Sequence, residues 1–218
     1  MDAMKLERLF STDMPGFRFL RNVVLLSIAG LLPVLALYVL ITPGFASALG
    51  QGGPGLQRFL RQVLTNGLPV VVVINYVGFL LYALSHQNAR PSRDPALLAL
   101  IDILARVALF FGLHALIYVL SADWYGSFGG SRLTAVSVVA LTLARSAFFE
   151  NISGVYFYAT FVSAIPLYMS AFRRSHALRR VRASVRFRAG PIVLAVAVFA
   201  IAAVLLTVLA QVVTRLQG

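Results

Sequence analysis

"ALLALIDILARVALFFGLHALIYVLS", residues 96 to 121, holds one acid, one arginine and one histidine in an otherwise apolar run. A helix crossing the ~30 Å hydrocarbon core of a bilayer needs about 20 mostly apolar residues, so this stretch is long enough to span one. Its polar members are not scattered. Asp102, Arg106, Phe110, His114 and Tyr118 recur at every fourth position, which places them on one face of a helix. A charged side chain at mid-bilayer costs ~2.5–3.5 kcal/mol on insertion scales, so these groups require each other, a polar cavity or a neighbouring helix. Asp102 and Arg106, four apart, can pair within their own helix. His114 has no such partner there and is expected to bond a hydroxyl such as Thr160 or Ser163 on another span.

Working outward, four more stretches reach membrane length: Asn22–Thr42, Leu68–His86, Gly154–Phe172 and Pro191–Val213. The fourth of the five in chain order, "GVYFYATFVSAIPLYMSAF", carries Pro166, an expected kink. Of the 218 residues, 60% are hydrophobic and only 12% charged, whereas soluble domains carry about 25% charged residues. The expected fold is all-α: a polytopic transmembrane helical bundle with short interfacial helices. A cytoplasmic segment over residues 1–21 precedes a single membrane domain over residues 22–218. The start, "MDAMKLERLFSTDMPGFRFLRN", is polar and mixed in charge, so the first span reads as a retained signal anchor.

"LTAVSVVALTLARSAFFE", Leu133–Glu150, decides between five spans and six. It carries Arg145 and Glu150, and only "NISG" separates it from the next span. Short cytoplasmic loops retain Arg and Lys, so charge counts weigh the two topologies. With six spans and the N-terminus inside, seven basic residues lie inside and ten outside. With five, the counts become thirteen inside and five outside. Five spans is therefore the expectation, with Leu133–Glu150 re-entrant or interfacial and a sixth span the alternative.

Two further segments read as interfacial. "GLQRFLRQVLTNG", Gly55–Gly67, spaces Leu56, Phe59, Leu60, Val63 and Leu64 as one helical face, a short amphipathic helix on the outer surface closed by the turn "NGLP". "ADWYGSFGG", Ala122–Gly130, sets Trp124, Tyr125 and Phe128 at a span end, the usual place for aromatic anchors.

The second span aligns Asn75, Phe79, Tyr82 and His86, and the fourth aligns Tyr156, Thr160, Ser163, Leu167 and Ser170. If these faces meet the third span, Asp102, Arg106, His114, Tyr118, Asn75, Thr160 and Ser163 form one polar seam, either a relay or a lock between helices. Polar bonds between membrane helices contribute ~0.6 kcal/mol each, and a lock is the commoner use. Arg145 and Glu150, five apart, pair across a kink or mark an assembly contact.

The remaining inventory narrows the chemistry. The chain has no cysteine, which removes thiolate metal sites and cysteine nucleophiles. His86, His114 and His176 fall in three segments without metal-ligand spacing, and the first two lie at depths unsuited to one haem. No metal or cofactor is expected. Without a Walker motif, nucleophile elbow or carboxylate pair, an enzyme is not expected either. The net charge of +12 comes mostly from arginines between apolar runs, where topology signals sit, so nucleic acid is not the expected partner. Chief among these runs is "RRSHALRRVRASVRFR", residues 173 to 188, with Arg173, Arg174, Arg179, Arg180, Arg182, Arg186 and Arg188. On the cytosolic face it would meet anionic lipid headgroups, which attract each basic residue by ~1 kcal/mol. Leu178, Val181 and Val185 add an apolar stripe there.

Arginine dominance suggests a GC-rich bacterial genome and hence the bacterial inner membrane. The alanine-rich last span, "VLAVAVFAIAAVLL", permits close approach to another helix. The expected function is a non-catalytic multi-pass subunit, or an assembly or stabilising factor, of an inner-membrane complex, with other membrane subunits as partners. A small transporter or channel using the polar seam is the alternative.

Overall fold

The computed structural model describes residues 10–11, 13–50, 52–87, 94–120, 132–184 and 190–217. Among them all regular structure is helical: α1 (Gly16–Ile41), α2 (Phe45–Gly50), α3 (Gly53–Gln62), α4 (Leu68–Gln87), α5 (Pro95–Leu120), α6 (Arg132–Ser146), α7 (Ile152–Arg174), α8 (Arg179–Ser184) and α9 (Gly190–Gln217). Five helical runs are long and apolar enough to cross a membrane: α1, the α3–α4 run, α5, α7 and α9. Each expected span falls on one of them. The first starts earlier than its apolar run because "FRFLRN" continues the helix, turning Phe19 and Asn22 inward and leaving Arg18 and Arg21 exposed.

α7 is the hub, packed against α1, α4, α5, α6 and α9. Its most apolar stretch is 72% buried, against 17% for α9. Small residues let its neighbours close in. A Cβ on Gly30 of α1 would sit 2.8 Å from both the Ala159 carbonyl oxygen and the Ser163 nitrogen of α7. Pro166 lies inside α7 without ending it.

α5 and α7 run antiparallel: Asp102 meets Tyr168, and Phe110 meets Phe157. At their shared end, Asp94 Oδ2, just before α5, accepts a bond from Ala177 N, just after α7, at 2.8 Å. A sixth crossing between them would put those two residues on opposite sides. α6 has 15 residues, a length of ~22 Å at 1.5 Å per residue, short of the bilayer core. It packs along α9, with Val139, Ala140 and Leu143 buried. It then turns sharply into α7. Asn151 Nδ2 donates to the Thr142 carbonyl (3.1 Å) and its Oδ1 accepts from the Ser146 hydroxyl (2.9 Å). Phe149, at φ 58°, stacks on Tyr158 with ring centroids 4.7 Å apart. The five-span arrangement holds, and Leu133–Glu150 is a short packed helix with a turn.

One element differs from expectation. "NGLP" is not a turn: α3 passes through a π-helical turn, Val63–Gly67, directly into α4. Pro69 has no N–H to give back to the α-helical ladder. The wider turn, closed by Leu68 N–H to the Val63 carbonyl, carries the chain past it. Gly67 is needed there because the Tyr156 ring lies against it, 2.1 Å from where a Cβ would be. Residues 122–130, with the expected aromatic anchors, lie outside the described residues. So do the side chains of His86, Arg182, Val185, Arg186 and Arg188.

Candidate functional site: a buried charge knot

The inward stripe of α5 is Leu98, Asp102, Arg106, Phe110 and His114, the four-residue repeat of the sequence. At its centre Arg106 is 0% exposed and Asp102 4%. Arg106 Nε donates to Asp102 Oδ2 at 2.7 Å. Nη1 donates to Asn75 Oδ1 on α4 and to the Thr160 carbonyl on α7, the latter at 3.2 Å. Tyr168 of α7 donates its hydroxyl to the same Asp102 oxygen at 2.6 Å. Asn75 in turn donates through Nδ2 to Ser27 Oγ of α1 at 2.8 Å. Four long helices thus meet in one chain of polar bonds.

Local packing sets the guanidinium in place. The Phe79 ring lies 4.7 Å from its Cζ, and Phe10 stacks on the far side of Phe79 at 4.2 Å. Gly78 leaves room for the planar group: a Cβ there would approach Cζ to 2.8 Å. Taking two ions out of water is expensive, and only close pairing with further hydrogen bonds repays it. Asp102 and Arg106 have that pairing. Two atoms remain: Asp102 Oδ1 and Arg106 Nη2 have no hydrogen-bond partner among the described residues.

Of the expected seam, Asp102, Arg106, Asn75 and Thr160 come together, though Thr160 enters through its carbonyl. Its hydroxyl bonds Phe157 O at 2.7 Å. Ser163 is buried against Gly30 and bonds Ala159 O at 2.7 Å. His114 therefore meets neither hydroxyl. Its Nδ1 lies 2.9 Å from the Phe110 carbonyl one turn back, which gives that nitrogen a partner within α5 itself. Tyr118 stands beyond it, ring centroids 6.4 Å apart. The face divides into a polar knot below and an aromatic stretch above.

Sequence reasoning missed Ser27 and Tyr168. Ser27 had a signal, as a polar residue inside the apolar run of α1. Tyr168 sits one position from Leu167, on the chosen face, so a slightly wider face would have included it.

Arg145 and Glu150 approach to 3.8 Å across the turn after α6, with side chains 73% and 57% exposed. Such exposed pairs contribute within about 1 kcal/mol. In the arginine segment, Arg173, Arg179 and Arg180 are exposed, Arg174 is half-buried, and α8 spans only six residues. The segment is tied down by an acid that sequence reasoning did not select. Asp94 accepts from Ala96 N and Ala177 N, both at 2.8 Å, capping α5 and holding the loop after α7. The Ser175 hydroxyl, then these backbone donors, hold its carboxyl down at about 2. Among the described residues no three His, Cys, Asp or Glu side chains gather as a metal site.

Five alternating spans closed around a buried ion pair define a multi-pass α-helical membrane protein. Comparison with protein families, with curated proteins and with solved structures finds no match to this chain.

Proposed function

We propose that this protein is a non-catalytic multi-pass component, a subunit or stabilising factor, of a bacterial inner-membrane complex. The observation that carries the reading is the direction of the Arg106 bonds. They run to α4, α5 and α7, so the costliest group in the molecule serves to hold helices together. Copurification from native membranes in mild detergent, read by mass spectrometry, tests it. A reproducible set of membrane partners is expected, and a lone stable monomer would overturn the proposal.

In the same reading the N-terminus and the 173–188 segment face the cytosol, where arginines meet anionic headgroups. Ala183 is exposed and the chain has no cysteine, so Ala183→Cys gives a unique reporter. An impermeant thiol reagent should label it only after lysis. Labelling in intact cells would reverse the topology.

One observation favours a transporter or channel as a second reading: the unpartnered Asp102 Oδ1 and Arg106 Nη2 offer a buried polar foothold for a water or a proton. Proton flux in reconstituted vesicles that is lost in His114→Phe would support it. Absence of flux in the unaltered protein would remove it.

A further inference from the structure

At the end of the bundle opposite the arginine segment, a cleft of about 590 Å³ opens between the end of α1, the helix α3 and the start of α7. Its walls are aromatic and apolar: Tyr38, Phe45, Phe59 and Ile152. Phe45 stands edge-on to both Tyr38 (5.9 Å) and Phe59 (5.1 Å), which props the cleft open rather than filling it. Polar groups line it too, Arg58 and Gln62 from α3 and Asn151 from the turn before α7, and of these only Arg58 is charged.

The charge here is one-sided. α3 carries Arg58 and Arg61 and no acid, and Arg58 forms no ion pair among the described residues. Glu150, the acid nearest in sequence to the α7 wall, faces Arg145 instead. The cleft also sits beside the last turn of α1 and the first of α7, at the ends of two apolar membrane-length helices. Leu60 and Leu64, on the face of the same helical run turned away from the cleft, are 46% and 61% exposed, so α3 presents apolar side chains outward as well. A soluble anion would have no use for that setting.

The geometry points to a binding site for a single anionic glycerophospholipid, its phosphate on Arg58 and an acyl chain along Tyr38, Phe45 and Phe59. The volume lies within the ~300–1,000 Å³ of small-molecule sites and suits part of a lipid rather than a whole one. The site is separate from the arginine segment and does not depend on the function proposed above.

Gly55 lines the cleft, and a Cβ added to it would meet nothing within 4 Å, so a large side chain there fills the space without displacing the fold. The purified full chain would be placed in phosphatidylcholine nanodiscs doped with a photoactivatable phosphatidylglycerol, and crosslinked peptides mapped. Crosslinks over residues 53–62 and 149–152 are expected. They should fall about fivefold in Arg58→Gln, matching the attraction of one basic residue for an anionic headgroup. Gly55→Trp should abolish them, and Arg173→Gln, at the other end, should leave them intact. Equal crosslinking by a phosphatidylcholine analogue, or persistence in both Arg58→Gln and Gly55→Trp, would overturn the site. Because Arg58 is exposed, its variant remains informative should the tryptophan variant misfold.

Discussion

Arg106 is held by partners from three directions, so its removal and its neutralisation have different consequences. Arg106→Met leaves the buried Asp102 carboxyl without its cation and answered only by Tyr168, and should destabilise the bundle by about 3–5 kcal/mol. Adding Asp102→Leu removes the stranded polar group and should recover most of that loss, since well-packed apolar replacements of buried pairs are often neutral or better. Denaturant unfolding in mild detergent would read both. A double variant as unstable as the single one would mean that the knot holds the helices by more than charge cancellation. The stripe itself was legible in the sequence, because a four-residue repeat is a local property of one helix. Its partners were less so. Ser27 and Tyr168 belong to the knot only because α1 and α7 happen to face it, and facing is decided by close approaches such as Gly30 on Ala159. His114 shows the converse error: a partner sought on another helix was found in the carbonyl of its own.

Among elements, the α1–α7 contact makes the sharpest claim. Gly30→Ala drives a methyl into α7 backbone atoms, which cannot retreat as a side chain would, and should cost about 1–3 kcal/mol. Gly112→Ala, on α5, meets nothing within 4 Å and should be neutral or slightly stabilising through better helix propensity. Thermal melts of the two variants side by side would separate packing from propensity. The Asp94 clamp makes a claim about pH. Its carboxyl is depressed to about 2 from an ordinary 3.8, so its stabilising bonds are complete above about pH 4 and fade as pH falls through about 2. At neutral pH, Asp94→Asn should speed hydrogen exchange at Ala177 while leaving Phe157 and Ala159 protected. Unchanged exchange at Ala177 would show that the arginine segment is held by something else. Spans were readable from length and composition alone. α6 was not, because an apolar run of its length sits at the threshold between a crossing and a buried helix. "NGLP" misled because its residues also suit a π turn when a proline needs one.

Over the whole molecule, the knot joins α1, α4, α5 and α7, while α9 chiefly covers α6 and, to a smaller and similar extent, one side each of α5 and α7. A chain ending at residue 184 retains every atom of the knot. It should keep the native protease resistance of α5 and α7 and lose protection chiefly at Val139, Ala140 and Leu143 of α6. Global unfolding of that truncated chain would make α9 part of the core rather than its cover.

The ion pair of α5 also bears on how the chain is born. Because acid and base stand one turn apart, the helix can leave the ribosome's exit and enter lipid as a self-cancelled rod before the groups of α7 reach it. Ser27 and Asn75 are already in place by then. The Thr160 carbonyl follows 54 residues after Arg106, roughly 3–11 s later at ordinary elongation rates. Through that interval the nascent protein holds a half-finished lock, and the arrival of α7 is the moment at which a loose set of inserted rods becomes one object.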